Sequence, residues 1–360
     1  MKRLLKISSI FLITLLLLEI ALRLSTLIHL DSAFFIDDPD VGYRMRPHLS
    51  LPDLETNDRG FNDIDRTAEN RSGTTRLAFI GDSYVFGAVP RSQNFVSRIQ
   101  ARADSAGAPV DVLNMGIAGA GPENYVGVVQ KDVMDRDVDI VSVLFFVGND
   151  IREAHPDFVT RVWLGTAREV LRKPYRMRLS SEYFYIARLF RATRRLLKER
   201  MEQDQGVVGA RDGSFSRGVF LEIEHQRSAI FKIEQSALVQ ESYVEAIRTL
   251  QRMADLTKQA GKRFFVVLAP DEMQVNSEVR ASLMDQYEME AADYDFEQAQ
   301  QILKEALAAR GILVLDLLPF FTDAPTPLYI PSNTHWNKEG NDLAADKIWT
   351  FLNEHVLAMR

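Results

Sequence analysis

The sequence predicts an α/β fold on a parallel sheet, with helices on both faces and one apolar helix at the N-terminus. Two observations carry the main part. From Arg76 onward, short runs rich in β-branched and aromatic residues alternate with longer helical patterns. The short runs are continuously apolar instead of alternating, which marks strands buried on both faces, as in a parallel sheet. A third observation carries the N-terminal helix: the charge-free stretch Ile7–Leu18 follows Lys2, Arg3 and Lys6.

The N-terminal stretch is interrupted by Glu19 and resumes through Ile20, Ala21 and Leu22 before Arg23. A helix from Leu4 to Arg23 is about 30 Å long, enough to span a bilayer core. Positive charges ahead of the apolar run keep the N-terminus cytoplasmic and export the rest. The expectation is a single-pass protein of a bacterial inner membrane, with its main domain on the periplasmic or extracellular side. The rival reading is a cleaved signal peptide. Neither Ala21-Leu22-Arg23 nor Asp31-Ser32-Ala33 supplies the small-x-small site that cleavage needs. Residues 1–30 are therefore read as an anchor. Residues 31–75, rich in Asp, Pro, Asn and Arg, are read as a linker and small irregular subdomain, and residues 76–360 as the main domain.

Within that domain the candidate strands are Leu77–Ile80, Val110–Leu113, Ile140–Val147, Phe264–Leu268 and Ile312–Leu317. The candidate helices are Phe95–Ala106, Glu123–Met134, Ile230–Ala260, Phe296–Ala309 and Lys338–Leu357. The interval between Val147 and Phe264 is too long for one crossover. It holds the strongly basic stretch Arg161–Arg200, which is read as part of a helical insertion around 155–225. Its basic face is either simply solvated or rests on anionic lipid or polymer.

Composition narrows the function. The chain has 360 residues, 46% hydrophobic and 26% charged, which excludes wholesale disorder and a polytopic membrane protein. A formal charge of −7 gives no basic field for nucleic acid. With no cysteine there is no disulfide, thiolate zinc site, iron–sulfur cluster or cysteine nucleophile. No two of the six histidines lie at helical i, i+3 or i+4 spacing, which argues against a helical metal site. There is no Gly-x-Gly-x-x-Gly after the first strand and no phosphate loop, so no nucleotide cofactor is expected. No cofactor or metal is assigned.

A parallel sheet binds its ligands beyond the carboxyl ends of its strands. Each expected strand end here carries a polar cluster. Gly81-Asp82-Ser83 follows the first, Asn114-Met115-Gly116-Ile117-Ala118-Gly119 the second and Gly148-Asn149-Asp150 the third. Ser332-Asn333-Thr334-His335-Trp336-Asn337 follows the last. Gly-Asp-Ser alone reads as a helix-capping turn, and Gly-Asn-Asp as an ordinary turn. In this order, each at a strand end, the four blocks resemble the SGNH/GDSL hydrolases, from about Arg76 to Leu357 without the insertion.

The resemblance implies a flavodoxin-like three-layer sandwich with a five-stranded parallel sheet. It also implies Ser83 as nucleophile, His335 as base, and an oxyanion hole made by the backbone N–H of Ser83, the backbone N–H of Gly119 and the side-chain amide of Asn149. The chemistry agrees with that assignment. A serine hydroxyl needs a neighbouring base to become nucleophilic, and a tetrahedral oxyanion needs preorganised donors. Gly116 is the rival for the glycine role, and spacing from Asn114 favours Gly119. The common family pattern has an aspartate three residues before the histidine, where this chain has Ser332. A branch resembling the alginate-type polysaccharide O-acetyltransferases has Asp-Thr-His-Trp, where this chain has Asn333-Thr334-His335-Trp336. Asn333 can orient the imidazole but cannot stabilise its cation with a full charge. Asp316 and Asp323 are the alternative acids. Trp336 and Tyr329 are candidates either for stacking on a sugar or for packing.

Three functions follow as expectations. The first is a membrane-anchored, exported serine esterase acting on small acyl esters, acetyl above all, on envelope or extracellular polysaccharide. The second is an O-acetyltransferase to such a polysaccharide. The third is a non-catalytic carbohydrate-binding protein on the same fold.

Overall fold

In the computed structural model the five apolar runs form one parallel sheet. The residues described are 2–27, 35–51, 54–163, 166–171 and 214–358. In chain order, helix α1 (Lys2–Leu27) precedes a short antiparallel pair, β1 (Phe35–Asp38) and β2 (Gly42–Met45). Strand β3 (Thr75–Gly81) leads into α2 (Ser83–Phe86) and α3 (Phe95–Ser105). Strand β4 (Val110–Gly116) leads into α4 (Pro122–Val128), and β5 (Ile140–Phe146) into α5 (Val147–Glu153). A hairpin of β6 (Phe158–Trp163) and β7 (Thr166–Leu171) follows, then α6 (Arg217–Arg227) and α7 (Ala237–Gln259). Strand β8 (Arg263–Ala269), α8 (Gln298–Ala308), β9 (Leu313–Asp316) and α9 (Lys338–Phe351) complete the fold.

The sheet order is β9-β8-β5-β3-β4, all parallel. Leu77 of β3 is paired with Val112 of β4 on one side and with Ile140 of β5 on the other. Successive side chains alternate between faces, which splits the core in two. Ala78, Ile80, Val141, Val143, Val266 and Leu268 pack toward α4, α7 and α8. Leu77, Phe79, Ile140, Leu144, Phe265 and Val267 pack toward α3 and α9. This is the expected three-layer arrangement. Every position of β3 and β5 is buried, which is why both are mostly apolar, with Arg76 and Ser142 as the exceptions inside them. Val41, Tyr43 and Phe61, from the segment before the sheet, belong to the first of these cores.

Two readings differ from the structure. The helix expected from Ile230 begins at Ala237, because Ser236 caps it by accepting from the Val239 N–H. A turn of 3-10 helix, Ser228–Phe231, precedes that cap. Within the insertion expected to be helical around 155–225, the described residues form an antiparallel hairpin over 158–163 and 166–171 and the start of helix α6 from Arg217. Val159, Thr160, Val162 and Trp163 have the branched and aromatic side chains that favour extended backbone. Residues 172–213, which hold most of the basic stretch, lie outside those described. At the N-terminus, α1 forms over the expected apolar run, with Ile10, Phe11, Leu12, Ile13, Leu16 and Leu17 exposed. Among the described residues, no helix is long and apolar enough to cross a membrane.

The end of β4 fits closely beneath α2. Asn114 donates through Nδ2 to the Val85 carbonyl at 2.6 Å and accepts from the Gly116 N–H at 3.0 Å. A Cβ on Gly116 would lie 2.2 Å from the Phe86 nitrogen. Gly116→Ala is therefore expected to force the sheet and α2 apart and to cost about 3 kcal/mol, the upper part of the overpacking range. Urea denaturation followed by circular dichroism checks this; a loss below about 0.5 kcal/mol would show that the contact relaxes freely.

Candidate active site

Ser83 is placed by the turn that ends β3. Asp82 caps α2 by accepting from the Tyr84 N–H at 2.9 Å, and Tyr84, Val85 and Phe86 are buried. The four-residue helix is thus fixed from below, and half-buried Ser83 is left at the carboxyl end of the sheet. A Cβ on Gly81 would meet Val85 Cγ2 at 2.5 Å and the Leu144 carbonyl oxygen at 2.8 Å, so this turn accepts only glycine at that position. The chain leaves β3 for β4 on one side and returns as β5 on the other. Ser83 lies at that reversal of strand order, where an open α/β sheet has its binding crevice.

His335 reaches Ser83 from a loop before α9. Its Nε2 is 2.8 Å from Ser83 Oγ. Its Nδ1 is 2.7 Å from Asn333 Oδ1 and 3.0 Å from the Asn333 carbonyl oxygen. A carbonyl oxygen only accepts, so the proton sits on Nδ1, and Nε2 is free to accept from the serine hydroxyl. Asn333 is buried and occupies the position of a third triad member. The alternative acids do not reach the imidazole. Asp316 accepts from the Leu318 N–H at 3.0 Å and from Lys304 Nζ at 3.1 Å, and Asp323 is exposed.

The residues on either side of Asn333 have left-handed backbone, Ser332 at φ 55° and Thr334 at φ 67°. Such a conformation is costly for a β-branched residue. The surrounding bonds hold it: Ile330 N–H to the His335 carbonyl at 2.8 Å, Phe215 N–H to the Ser332 carbonyl at 2.8 Å, and the Tyr84 hydroxyl to the Thr334 carbonyl. Trp336 is buried edge-on against Tyr84 and Phe95, and Tyr329 is buried with its hydroxyl on the Pro270 carbonyl at 2.7 Å. Both aromatics pack the loop down; neither offers a face to a sugar.

The second loop carries Gly119, exposed and at φ 73°. The Ile117 N–H bonds the Gly81 carbonyl at 3.0 Å, which brings this loop beside the serine turn. The N-terminal segment holds its other side. Tyr43 donates its hydroxyl to the Ala118 carbonyl at 3.2 Å. Asn124 accepts from the Gly121 N–H at 3.0 Å and donates to the Val41 carbonyl at 2.6 Å. Asn149 lies on the first turn of α5, its Nδ2 at 3.1 Å from Glu153 Oε1 and 3.5 Å from Asp82 Oδ2. Asp150 fixes that turn, accepting from the Phe146 N–H and the Tyr125 hydroxyl, each at 2.8 Å. Burial raises the Asp82 carboxyl to about 6. Burial, with Asp82 and Glu153 nearby, pushes Asp150 well above the carboxylate range.

Sequence reasoning missed a group of charges beside the imidazole. Arg227, on α6, pairs with Glu224 at 3.0 Å and Asp271 at 3.6 Å and lies 5.0 Å over the Phe146 ring. Phe146 in turn packs on Tyr84, and Tyr84 on His335. Burial raises the Glu224 carboxyl well above its ordinary range, and the neighbouring Asp271 adds to this. Burial, then the Arg227 charge, pushes His335 down to about 4. No sequence motif marks Arg227; the only local signal is the i, i+3 spacing from Glu224.

Residues 230–359, a stretch holding Asn333 and His335, match the family model described as "SGNH hydrolase-like domain, acetyltransferase AlgX". Among solved structures, an acetyl xylan esterase, AlAXEase, is 11% identical, with 76% of this chain and 98% of that one covered at a TM-score of 0.40. A catalytic mutant of Axe2, an acetylxylan esterase from Geobacillus stearothermophilus, is 16% identical over 79% and 96%, at 0.39. A lipase/acylhydrolase from Enterococcus faecalis is 13% identical over 78% and 95%, at 0.39. Comparison with curated proteins finds no match.

The imidazole's surroundings give three expected outcomes. A base works in its neutral form, so activity is lost as pH falls through its pKa. With His335 near 4, kcat/KM for an ester should stay flat down to about pH 5 and fall with an acid limb near pH 4. Arg227→Met removes a cation that disfavours the imidazolium and should move that limb upward; an unmoved limb would exclude an electrostatic role for Arg227. Asn333→Asp should raise kcat at least about tenfold, since the reverse change in a serine protease costs about ten-thousand-fold. A fall in kcat in this variant would show that Asn333 does not act on the imidazole as a triad member does.

Proposed function

Taking the chain as an ester-acting SGNH hydrolase or a related O-acyltransferase, we propose that it removes small acyl groups, acetyl above all, from esters on polysaccharide through an acyl-Ser83 intermediate. The observation that carries this reading is the continuous relay Ser83 Oγ–His335 Nε2, His335 Nδ1–Asn333 Oδ1, at 2.8 and 2.7 Å. Ser83 Oγ attacks the ester carbonyl while its proton passes to His335 Nε2. The backbone N–H groups of Ser83 and Gly119 and the Asn149 amide receive the developing oxyanion. The imidazolium then gives its proton to the departing sugar oxygen. Water, deprotonated by the same nitrogen, attacks the acyl-enzyme and releases the acid. A base held near pKa 4 is neutral at rest, so every molecule at neutral pH is ready for the first proton transfer.

The match of residues 230–359 to an acetyltransferase family model favours a second reading. The acyl-enzyme is the same, and a sugar hydroxyl replaces water as the acceptor. The anchor is part of the proposal too: the apolar run in α1 holds the enzyme at a bacterial inner membrane, with its active site exported. Exposed Ile10, Phe11, Leu16 and Leu17 support that reading.

The test is release of p-nitrophenol from its acetyl ester by wild type and by Ser83→Ala, with and without an added oligosaccharide. Activity in wild type alone establishes acyl-serine chemistry. Acetylated saccharide in excess of free acetate assigns transfer, and the reverse assigns hydrolysis. Equal rates in wild type and Ser83→Ala would remove the proposal. Carbonate extraction of membranes tests the anchor, with release into the supernatant as the outcome against it.

A further inference from the structure

An oxyanion donor must have a fixed direction before the charge appears. Asn149 Oδ1 is buried with no hydrogen-bond partner, so nothing on its oxygen side sets the orientation of the amide. The nitrogen side is set by two carboxylates. The contact to Glu153 Oε1, at 3.1 Å, has hydrogen-bond length, whereas that to Asp82 Oδ2, at 3.5 Å, lies at the limit. An amide nitrogen carries two hydrogens, so one is firmly held and the other only weakly. The weakly held hydrogen faces the Asp82 side, next to Ser83.

Glu153 is built into this corner. It stands four residues after Asn149 on α5, on the same face of the helix. Its side chain lies against the second loop: a Cβ on Gly121 would be 3.1 Å from both its Cβ and its Oε2. Glycine at 121 therefore leaves the room that this carboxylate occupies. The carboxylate thus touches both elements that bring donors to the serine.

We propose that Glu153 is the positioning residue of the oxyanion hole, accepting one N–H of Asn149 so that the second points at the carbonyl oxygen of the ester on Ser83. This rests on the acyl-Ser83 reading. The weak Asp82 contact is the one exchanged when the oxyanion forms, and the Glu153 bond persists through the reaction. The part Glu153 plays is to accept a hydrogen bond; its charge contributes nothing favourable, because a second anion near the oxyanion repels it.

The experiment is a double-mutant cycle on the full-length protein in detergent, with acetyl-ester turnover as readout. Asn149→Ala should lower kcat by about 100-fold or more. Glu153→Ala should lower kcat by about 10-fold or more, with KM within about twofold of wild type, because the ground-state ester does not use this donor. Glu153→Gln keeps an accepting oxygen and should restore kcat to within about threefold of wild type. In the Asn149→Ala background, Glu153→Ala should cost nothing further. If Glu153→Ala does not fold, Glu153→Met, of similar volume and unable to accept, takes its place in the cycle. Additive losses, a loss carried by KM, or a glutamine variant as slow as alanine would each overturn the assignment. Ser83→Ala separates the two failures. If it is inactive and the cycle is additive, only the Glu153 role falls; if it is active, the acyl-serine reading falls with it.

Discussion

The arrangement depends on one ring being held at both nitrogens. His335 meets Ser83 through Nε2 and Asn333 through Nδ1, and the second contact fixes the proton that makes the first useful. To present Asn333 in this way the chain holds Ser332 and Thr334 in left-handed backbone, which costs about 1–3 kcal/mol at each. Buried packing of Trp336 and the Tyr84 and Tyr329 hydroxyl bonds offset that cost. Strain and support lie on the same few residues. The loop is therefore held by its own packing and hydrogen bonds.

The electrostatics of this ring differ from those of a Ser-His-Asp triad. There a carboxylate stabilises the imidazolium. Here the neighbour at Nδ1 is a neutral amide, and burial, with the Arg227 cation, works against protonation. Burial raises the Glu224 carboxyl beside that cation well above its ordinary range. The base is consequently easy to keep neutral and costly to protonate. Such a site takes up the serine proton reluctantly and gives it to the leaving oxygen readily.

Most of the scaffold was legible in the sequence because burial on both faces of a parallel sheet writes itself as unbroken apolar runs. The polar clusters at the ends of those runs located the site. Gly116 is enclosed under α2, while Gly119 is exposed and left-handed. What stayed hidden was contact across long stretches of sequence. Arg227 meets Asp271 across 44 positions, with a predicted helix and a predicted strand between them. The hairpin at 158–171 was masked by its arginines, which drew the reading toward a charged helix. Glu153 was overlooked because its meaning lies in the orientation of one amide, which no residue pattern encodes.

The segment before the sheet has a bearing on where the working unit starts. Asp38 and Arg44 are locked together and to Asp132 and Lys131, and Val41 and Tyr43 hold the loop that carries Gly119. These residues come before the first strand of the sheet, yet they shape the wall of the crevice. A graft of this site onto another leader must carry the chain from Phe35 onward. A transplant that began at Arg76 would bring Ser83 and His335 but leave the opposite wall unlatched.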